Sequence, residues 1–190
     1  MRVITGSARG VRLQAPKGMD TRPTLDQVKE GIFSTIQFEL EGRRVLDLFA
    51  GSGQMGIEAL SRGAKSAVFV DLRREACEIV RSNLEKTHLL DRAQIVRADY
   101  ARFLAQTREQ FDLILLDPPY AENFLENAMK TVSEIDILSE CGILIAERPA
   151  EKPLPAQLGR LVCARTYRYG RAAVSLYRVQ SKINDLEQSL

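Results

Sequence analysis

The chain has 190 residues and a mass of 21.3 kDa, and 45% of its residues are hydrophobic while 27% are charged. This length and balance are typical of one globular domain, and they exclude collagen-like, coiled-coil and fully disordered chains. Three cysteines without a C-x-x-C pair argue against a disulfide framework or a structural zinc site.

Charge is unevenly distributed, although the formal net charge is only +2. Residues 1–22 contain five basic side chains and one acidic one, and residues 159–182 contain six basic and no acidic ones. Basic ends around an acidic middle favour a polyanion-binding rim on a catalytic body, but solubilising surface charge would give the same pattern. No apolar run approaches the roughly 18 residues of a membrane span, and no secretion signal is recognisable, so we expect a cytoplasmic protein without a membrane partner.

The N-terminal residues are predicted to form a β-hairpin. Polar and apolar residues alternate over 2–5 and 11–14, on the two sides of a segment bounded by Gly6 and Gly10. The basic residues of this hairpin would lie on its exposed surface. The hairpin is therefore the candidate polyanion contact.

Helices and strands alternate through the rest of the chain. Thr24 is the candidate cap of a helix over 26–38, and from residue 43 strands and helices follow each other. The predicted strands cover 45–49, 67–70, 93–96, 111–116, 142–146, 160–167 and 172–179, and the further helices cover 54–61, 72–86 and 123–137. This alternation predicts an α/β fold with parallel strands and right-handed crossovers, closed by an antiparallel member.

A glycine-rich loop follows the first predicted strand of this sheet. Its glycines, Gly51, Gly53 and Gly56, have the G-x-G-x-x-G spacing, with Ser52 between the first two. Glycine lets backbone N–H groups approach a ligand because no Cβ blocks the way. The pattern fits NAD, FAD or S-adenosylmethionine, and a tight turn without any ligand would also produce it.

Three aspartates end three consecutive predicted strands. Asp47 lies just before the glycine loop, where a carboxylate would repel a pyrophosphate but could hold an ammonium group. Asp71 could accept both ribose hydroxyls. Asp99 could reach an adenine amine, with Tyr100 against the ring. Together these acids favour a cationic nucleoside without phosphate.

The tetrapeptide Asp117-Pro118-Pro119-Tyr120 follows the fourth strand of the α/β body. Two prolines fix φ and remove two N–H donors, so the Pro118 carbonyl stays a rigid acceptor beside the Asp117 carboxylate. These two acceptors could accept hydrogen bonds from both N–H groups of an exocyclic aromatic amine and direct the nitrogen lone pair at a methyl donor. Tyr120 could stack on the base. A proline-rich turn without chemistry is the alternative.

These motifs resemble those of class I S-adenosylmethionine-dependent methyltransferases. With the N-terminal segments they are similar to the bacterial RsmD family, which methylates guanine N2 in 16S ribosomal RNA. The matching segments are 47–53, 56–64, DPPY at 117–120, MRVITG at 1–6 and RPTLDQVKE at 22–30.

The resemblance implies a Rossmann-like, doubly wound sheet of seven mostly parallel strands, with the last strand antiparallel and an N-terminal β-hairpin extension. The implied divisions are residues 1–22 for the RNA-contact extension, 23–182 for the methyltransferase domain and 183–190 for a polar tail. S-adenosylmethionine is the implied cofactor, and no metal is expected. The implied partner is 16S rRNA in an assembling small ribosomal subunit, bound by a monomeric enzyme.

The resemblance also assigns residues to three roles. The catalytic residues are Asp117, Pro118, Pro119 and Tyr120. The cofactor-binding residues are Asp47, Phe49, Gly51, Ser52, Gly53, Gly56, Asp71, Leu72, Asp99 and Tyr100. The RNA-binding residues are Arg2, Arg9, Arg12, Lys17 and Arg22.

The expected chemistry is direct methyl transfer from a sulfonium to the amine, without a strong general base. His88, the single histidine, lies in a polar stretch and is expected at the surface. Truncation of residues 1–18 is expected to spare cofactor affinity and to remove RNA methylation. Three alternatives stay open: a dehydrogenase that shares the glycine loop, an amino-methyltransferase of DNA or another RNA, and a non-catalytic ribosome-assembly factor that retains the fold.

Overall fold

A computed structural model describes residues 1–15, 23–119 and 123–180 of the chain, and its centre is an eight-stranded sheet. The strands are β1 Arg44–Asp47, β2 Ser66–Asp71, β3 Ala93–Arg97, β4 Phe111–Leu116, β5 Leu138–Pro149, β6 Gln157–Leu158, β7 Leu161–Tyr169 and β8 Ala172–Val179. The helices are α1 Pro23–Thr35, α2 Gln54–Ser61, α3 Arg74–Lys86, α4 Tyr100–Gln106 and α5 Phe124–Glu134, and short 3-10 turns cover Gln37–Glu39 and Leu90–Arg92.

The strand order is β3-β2-β1-β4-β5-β8-β7-β6. Strands β1 to β5 pair in parallel, whereas β8 enters antiparallel between β5 and β7. The predicted α/β sheet with a reversed last strand is confirmed. The strand count of seven is corrected to eight, because the two-residue β6 pairs antiparallel with β7 at the edge. A strand of two residues is too short to show an alternating pattern in the sequence.

Some element boundaries differ from the prediction. Helix α4 was missed because its seven residues carry too little periodic signal. Strand β5 extends well beyond the predicted 142–146 on both sides. Helix α1 ends at Thr35, and the rest of the predicted helix is a 3-10 turn. In the part of the chain that the structure describes, no helix is both long and apolar enough to cross a membrane.

The sheet has a hydrophobic core on each face. Alternate residues of one strand enter different cores, as Val45 and Leu46 of β1 do. Residues from α1, α2 and α3 fill the first core, and residues from α4 and α5 fill the second. Helix α2 follows β1 and α5 follows β4, so the connections after these neighbouring strands diverge to opposite faces. A doubly wound sheet has its ligand crevice at such a point.

Residues 1–15, here called the N-terminal arm, lie against the first core. Val3 and Leu13 are buried in it. The predicted antiparallel pairing is present as a single bridge, Arg2 with Arg12, and the Val3 amide donates to Val11 O at 3.0 Å. The arm is thus an irregular hairpin that packs against the α/β body.

Candidate active site

The glycine loop joins β1 to α2 through two residues with left-handed backbone. Gly51 has a φ of 56° and Gly53 a φ of 76°. The Gly53 amide donates to Ala50 O at 2.6 Å, and α2 begins at the next residue. This turn has the predicted strand-loop-helix form, and it presents backbone at the crevice without side-chain obstruction.

Asp47 is a buried carboxylate beneath this loop. Its side chain is 3% exposed, and its Oδ2 accepts the Gly56 amide at 3.0 Å. A Cβ at Gly56 would lie 2.4 Å from the Phe69 ring, so the third glycine is needed for packing. Burial raises the pKa of Asp47 to about 7, and the charges of Asp117 and Asp71 act in the same direction, against the Gly56 hydrogen bond. An ionised Asp47 therefore needs a cation.

Asp71 ends β2 beside the glycine loop. Its Oδ2 accepts the Gly51 amide at 2.9 Å, and its Oδ1 accepts the Arg73 amide at 2.9 Å. Leu72, the next residue, is 62% exposed. The end of β2 thus presents a fixed carboxylate next to an exposed apolar surface, as a ribose and an adenine would require.

Asp99 caps a helix that sequence reasoning missed. It is the N-cap of α4, and its Oδ1 accepts the amides of Ala101 at 2.9 Å and Arg102 at 3.3 Å. A capping role is thus present, and the proposed contact of Asp99 with an adenine amine stays a prediction.

Aromatic side chains cluster next to this cap. The Tyr100 ring lies 5.2 Å from the Phe49 ring, measured between centroids, and 5.8 Å from the Phe124 ring, which it meets edge-on. Phe49 and Tyr100 were predicted site residues, whereas Phe124 was missed. Its signal is an aromatic residue that opens the helix after the DPPY motif.

Asp117 follows β4 directly and shares one small cavity with Asp47. Ile32 of α1, Met55 of α2 and Glu147 of β5 also line this cavity. Asp117 is half-buried, and removal from water raises its pKa to about 6. The structure thus brings together the acid of the glycine-loop strand and the acid of the DPPY motif, at the point where the crossovers diverge.

A second cleft of about 50 Å³ lies beside the DPPY motif. Pro118, which is buried, and Pro119, which is exposed, form one wall. Glu147 and Arg148 from the end of β5 line the same cleft. Both were missed by sequence reasoning, because the predicted strand ended at residue 146. Tyr120 lies outside the described residues.

Arg148 is a buried cation in this cleft. It is 7% exposed, and its Nη1 donates to Pro149 O at 3.2 Å. Among the described residues, its Nε atom has no hydrogen-bond partner. A buried guanidinium with an unused donor suits a ligand that carries acceptor atoms.

The predicted RNA-binding residues lie partly within the described chain. Arg2, Arg9 and Arg12 are exposed on the N-terminal arm. Lys17 and Arg22 lie outside the described residues.

Comparisons with known proteins agree with this geometry. Residues 1–178 match the family described as conserved hypothetical protein 95. A relative in Bacillus subtilis, YlbH, named as a candidate rRNA methyltransferase, is 45% identical over 94% of this chain and 98% of its own. The ribosomal RNA small subunit methyltransferase D of Escherichia coli K12 is 30% identical over 96% of this chain and 91% of its own.

The chain belongs to the RsmD family of methyltransferases. The solved structure of an Escherichia coli protein, yhhF, described as a methyltransferase candidate, agrees with a TM-score of 0.84 at 30% identity, over 96% of this chain and 99% of that one. A Haemophilus influenzae structure, described as a methylase candidate, has a TM-score of 0.81 at 29% identity, over 95% and 98% of the two chains. The RsmD fold therefore extends through both the arm and the α/β body.

Proposed function

We propose that this RsmD-family protein transfers a methyl group from S-adenosylmethionine to the exocyclic N2 amine of a guanine in 16S ribosomal RNA. The observation that carries the proposal is the common cavity of Asp47 and Asp117. It puts a buried anion suited to the cofactor's ammonium group next to an acid suited to a nucleobase amine. The small-subunit rRNA methyltransferases among the relatives support the substrate class.

The residues at the ends of β1 and β2 fit the cofactor. Asp47 would hold the ammonium group of its methionine part, since an anion buried to 3% exposure gains from a cationic partner. Asp71 would accept the ribose hydroxyls, and Leu72 would cover the adenine. When bound, S-adenosylmethionine supplies an electrophilic methyl group on a sulfonium.

The DPPY motif would hold the target amine. The Asp117 carboxylate and the Pro118 carbonyl would each accept one N–H of guanine N2, which turns the nitrogen lone pair toward the cofactor side of the cavity. Positioning of this kind can contribute about 7–11 kcal/mol to rate acceleration. The proton released on methylation passes to Asp117 or water. Tyr120 would stack on the base.

The target guanine would enter the cleft beside Pro118 and Pro119 as an unpaired or flipped nucleotide, since a base inside a helix cannot reach it. Guanine offers O6 and N7 as acceptors, and Arg148 is a matching donor. The exposed arginines of the N-terminal arm, together with Lys17 and Arg22, would bind phosphates around the target.

We place the enzyme in the cytoplasm, at an assembling small ribosomal subunit, because that particle carries the proposed substrate. It would act as a monomer, since one chain supplies all residues of the candidate site.

The decisive experiment is transfer of tritiated methyl groups to small subunits from cells that lack the enzyme, followed by nucleoside analysis. We expect radioactive N2-methylguanosine in 16S rRNA with the wild type and none with Asp117→Ala, which should still bind S-adenosylhomocysteine. Label in another nucleoside, or in DNA, would refute the proposed substrate. Absence of label with intact cofactor binding would favour a non-catalytic assembly factor.

The dehydrogenase alternative is separated by calorimetry with S-adenosylhomocysteine and NAD. Asp47 would repel the NAD pyrophosphate, so we expect binding of the first ligand only. Tight NAD binding would refute the cofactor assignment.

A further inference from the structure

The N-terminal arm approaches α2 too closely for side chains at the contact. A Cβ at Gly6 would lie 1.8 Å from Ser61 O, and Gly6 has a φ of +90°. The Ser61 hydroxyl donates to Thr5 O at 2.6 Å and accepts the Ala8 amide at 3.0 Å. The middle of the arm is therefore fixed to α2 by close backbone packing.

A buried glutamate fixes residues 4 and 5 of the arm. Glu58 of α2 has no exposed surface, and its carboxylate accepts the amides of Ile4 at 2.8 Å and Thr5 at 3.0 Å. Lys29 and Arg62 balance its charge at 3.4 and 2.8 Å. The arm thus supplies backbone groups to a polar network inside the α/β body.

Asn83 of α3 joins the other end of the arm to the glycine loop. Its side chain is completely buried. Its Oδ1 accepts the Gln14 amide at 2.8 Å, and its Nδ2 donates to Gln14 O at 3.0 Å and to Ser52 O at 2.9 Å. Ser52 Oγ also donates to Met1 Sδ at 3.2 Å, so two independent contacts join the arm and the loop.

We propose that Asn83 is a positioning residue that couples the N-terminal arm to S-adenosylmethionine binding. The Asn83 bond to Ser52 O orients the peptide between Ser52 and Gly53, in the glycine loop that is proposed to bind the cofactor. The same amide group holds Gln14, so an opening of the arm removes two of the three bonds that fix the Asn83 side chain. In this proposal cofactor affinity depends on the arm, so truncation of residues 1–18 should weaken cofactor binding, in contrast to the expectation from the sequence that it is spared.

The coupling has a consequence for RNA, which rests on the proposed function. If RNA binds the arm in its docked form, RNA binding also favours the ordered form of the glycine loop. By thermodynamic reciprocity, RNA and cofactor then raise each other's affinity by the same factor. The proposed dependence of cofactor affinity on the arm is independent of RNA.

The first test compares Asn83→Ala with Thr87→Ala by calorimetry with S-adenosylhomocysteine. Thr87 is a matched control on the same helix, buried, with its hydroxyl donating to Asn83 O and Leu84 O and not to the arm or the loop. Loss of a buried hydrogen bond to the loop should weaken binding by about tenfold in Asn83→Ala, while the control stays near the wild type. Equal dissociation constants for the two variants would overturn the proposal.

The second test uses the unchanged protein, so it does not depend on folding of a variant. Amide hydrogen exchange is followed at Gln14 and at Gln180, whose amide donates to Arg160 O at 2.8 Å beyond the end of β8. Saturation with S-adenosylhomocysteine should slow exchange at Gln14 by about tenfold or more and leave Gln180 unchanged. Unchanged exchange at Gln14 would overturn the coupling.

A third measurement separates the proposal from the proposed function. A fragment of 16S rRNA is added to wild type and to Asn83→Ala, and S-adenosylhomocysteine affinity is measured again. If RNA tightens cofactor binding in the wild type alone, the result supports the proposed coupling between RNA and cofactor. Equal tightening in both proteins refutes this coupling. If no RNA is methylated while the first two tests succeed, only the proposed function fails.

Discussion

Replacement of Asp47 by asparagine should stabilise the protein without cofactor. The pKa of Asp47 rises from 3.8 to about 7 on folding, chiefly because the carboxylate is buried. A tenfold change in an acid dissociation constant corresponds to about 1.4 kcal/mol, so the ionised Asp47 costs the folded state on the order of 4 kcal/mol above pH 7. Asparagine removes this cost and can still accept the Gly56 amide through its side-chain oxygen.

The pH dependence gives the sign of the effect. Between pH 4 and pH 7 the folded protein holds a proton on Asp47 that the unfolded chain has released, so the free energy of unfolding falls as the pH rises. Urea denaturation should therefore show no difference in the free energy of unfolding from this site between wild type and Asp47→Asn at pH 4. At pH 8 the variant should be the more stable of the two proteins. A variant no more stable than wild type at pH 8 would refute the argument.

Rising pH should increase the affinity for the cofactor, whereas it lowers the free energy of unfolding. With a pKa of about 7, Asp47 is roughly a tenth ionised at pH 6 and mostly ionised at pH 8, so binding of S-adenosylhomocysteine should tighten by about tenfold over this range. In Asp47→Asn, binding should be weaker and its pH dependence flatter, since the charge-assisted bond to an ammonium group is lost. Calorimetry at both pH values measures this directly.

Asp112 is a matched control for the same chemical change elsewhere in the sheet. Burial alone would raise the pKa of Asp112, but hydrogen bonds from the Arg44 side chain and amide outweigh it and lower the pKa to about 2. Its contribution to stability is present above pH 4 and is lost as the pH falls toward 2. Asp112→Asn should therefore destabilise the protein at pH 8, opposite to Asp47→Asn.

Three further predictions concern the site and the arm. Asp117→Ala should abolish methyl transfer and leave S-adenosylhomocysteine binding within a few-fold of wild type; retained turnover would exclude its role. Gly56→Ala places a Cβ 2.4 Å from the Phe69 ring, so it should lower the free energy of unfolding by about 1–3 kcal/mol and weaken cofactor binding, and an unchanged urea midpoint would contradict the packing argument. RNA affinity should fall steeply with salt, and Arg9→Ala or Arg12→Ala should each reduce the slope of log affinity against log salt by about 1. An unchanged slope would remove these arginines from the RNA contact.

The central sheet was predictable because its strands are continuous apolar segments bounded by polar residues. Strand β4 and helix α2 have the predicted bounds. The glycine loop was also predictable, since its strand-loop-helix form uses positive φ angles that glycine adopts at low cost. Local patterns of this kind can be recognised in a single sequence without knowledge of tertiary contacts.

The missed features depend on contacts between distant segments. Glu147 and Arg148 line the cleft because β5 extends beyond β4, a length that is set by pairing with β8. Asp99 caps helix α4, whose seven residues carry too little periodic signal to be predicted. The anchoring of residues 1–15 by Glu58 and Asn83 joins positions about 50 to 70 apart in the chain, and no local pattern reports it.

Docking of the N-terminal arm would lower the entropy cost of the proposed polyanion recognition. A flexible segment that becomes ordered on binding loses about 1–2 kcal/mol per residue in backbone freedom. Because Glu58, Ser61 and Asn83 already immobilise residues 1–15, that loss occurs during folding and not at the encounter. The exposed guanidinium groups of the arm are consequently held on an ordered segment, so less of their proposed Coulombic attraction to a polyanion would be offset by ordering of the chain.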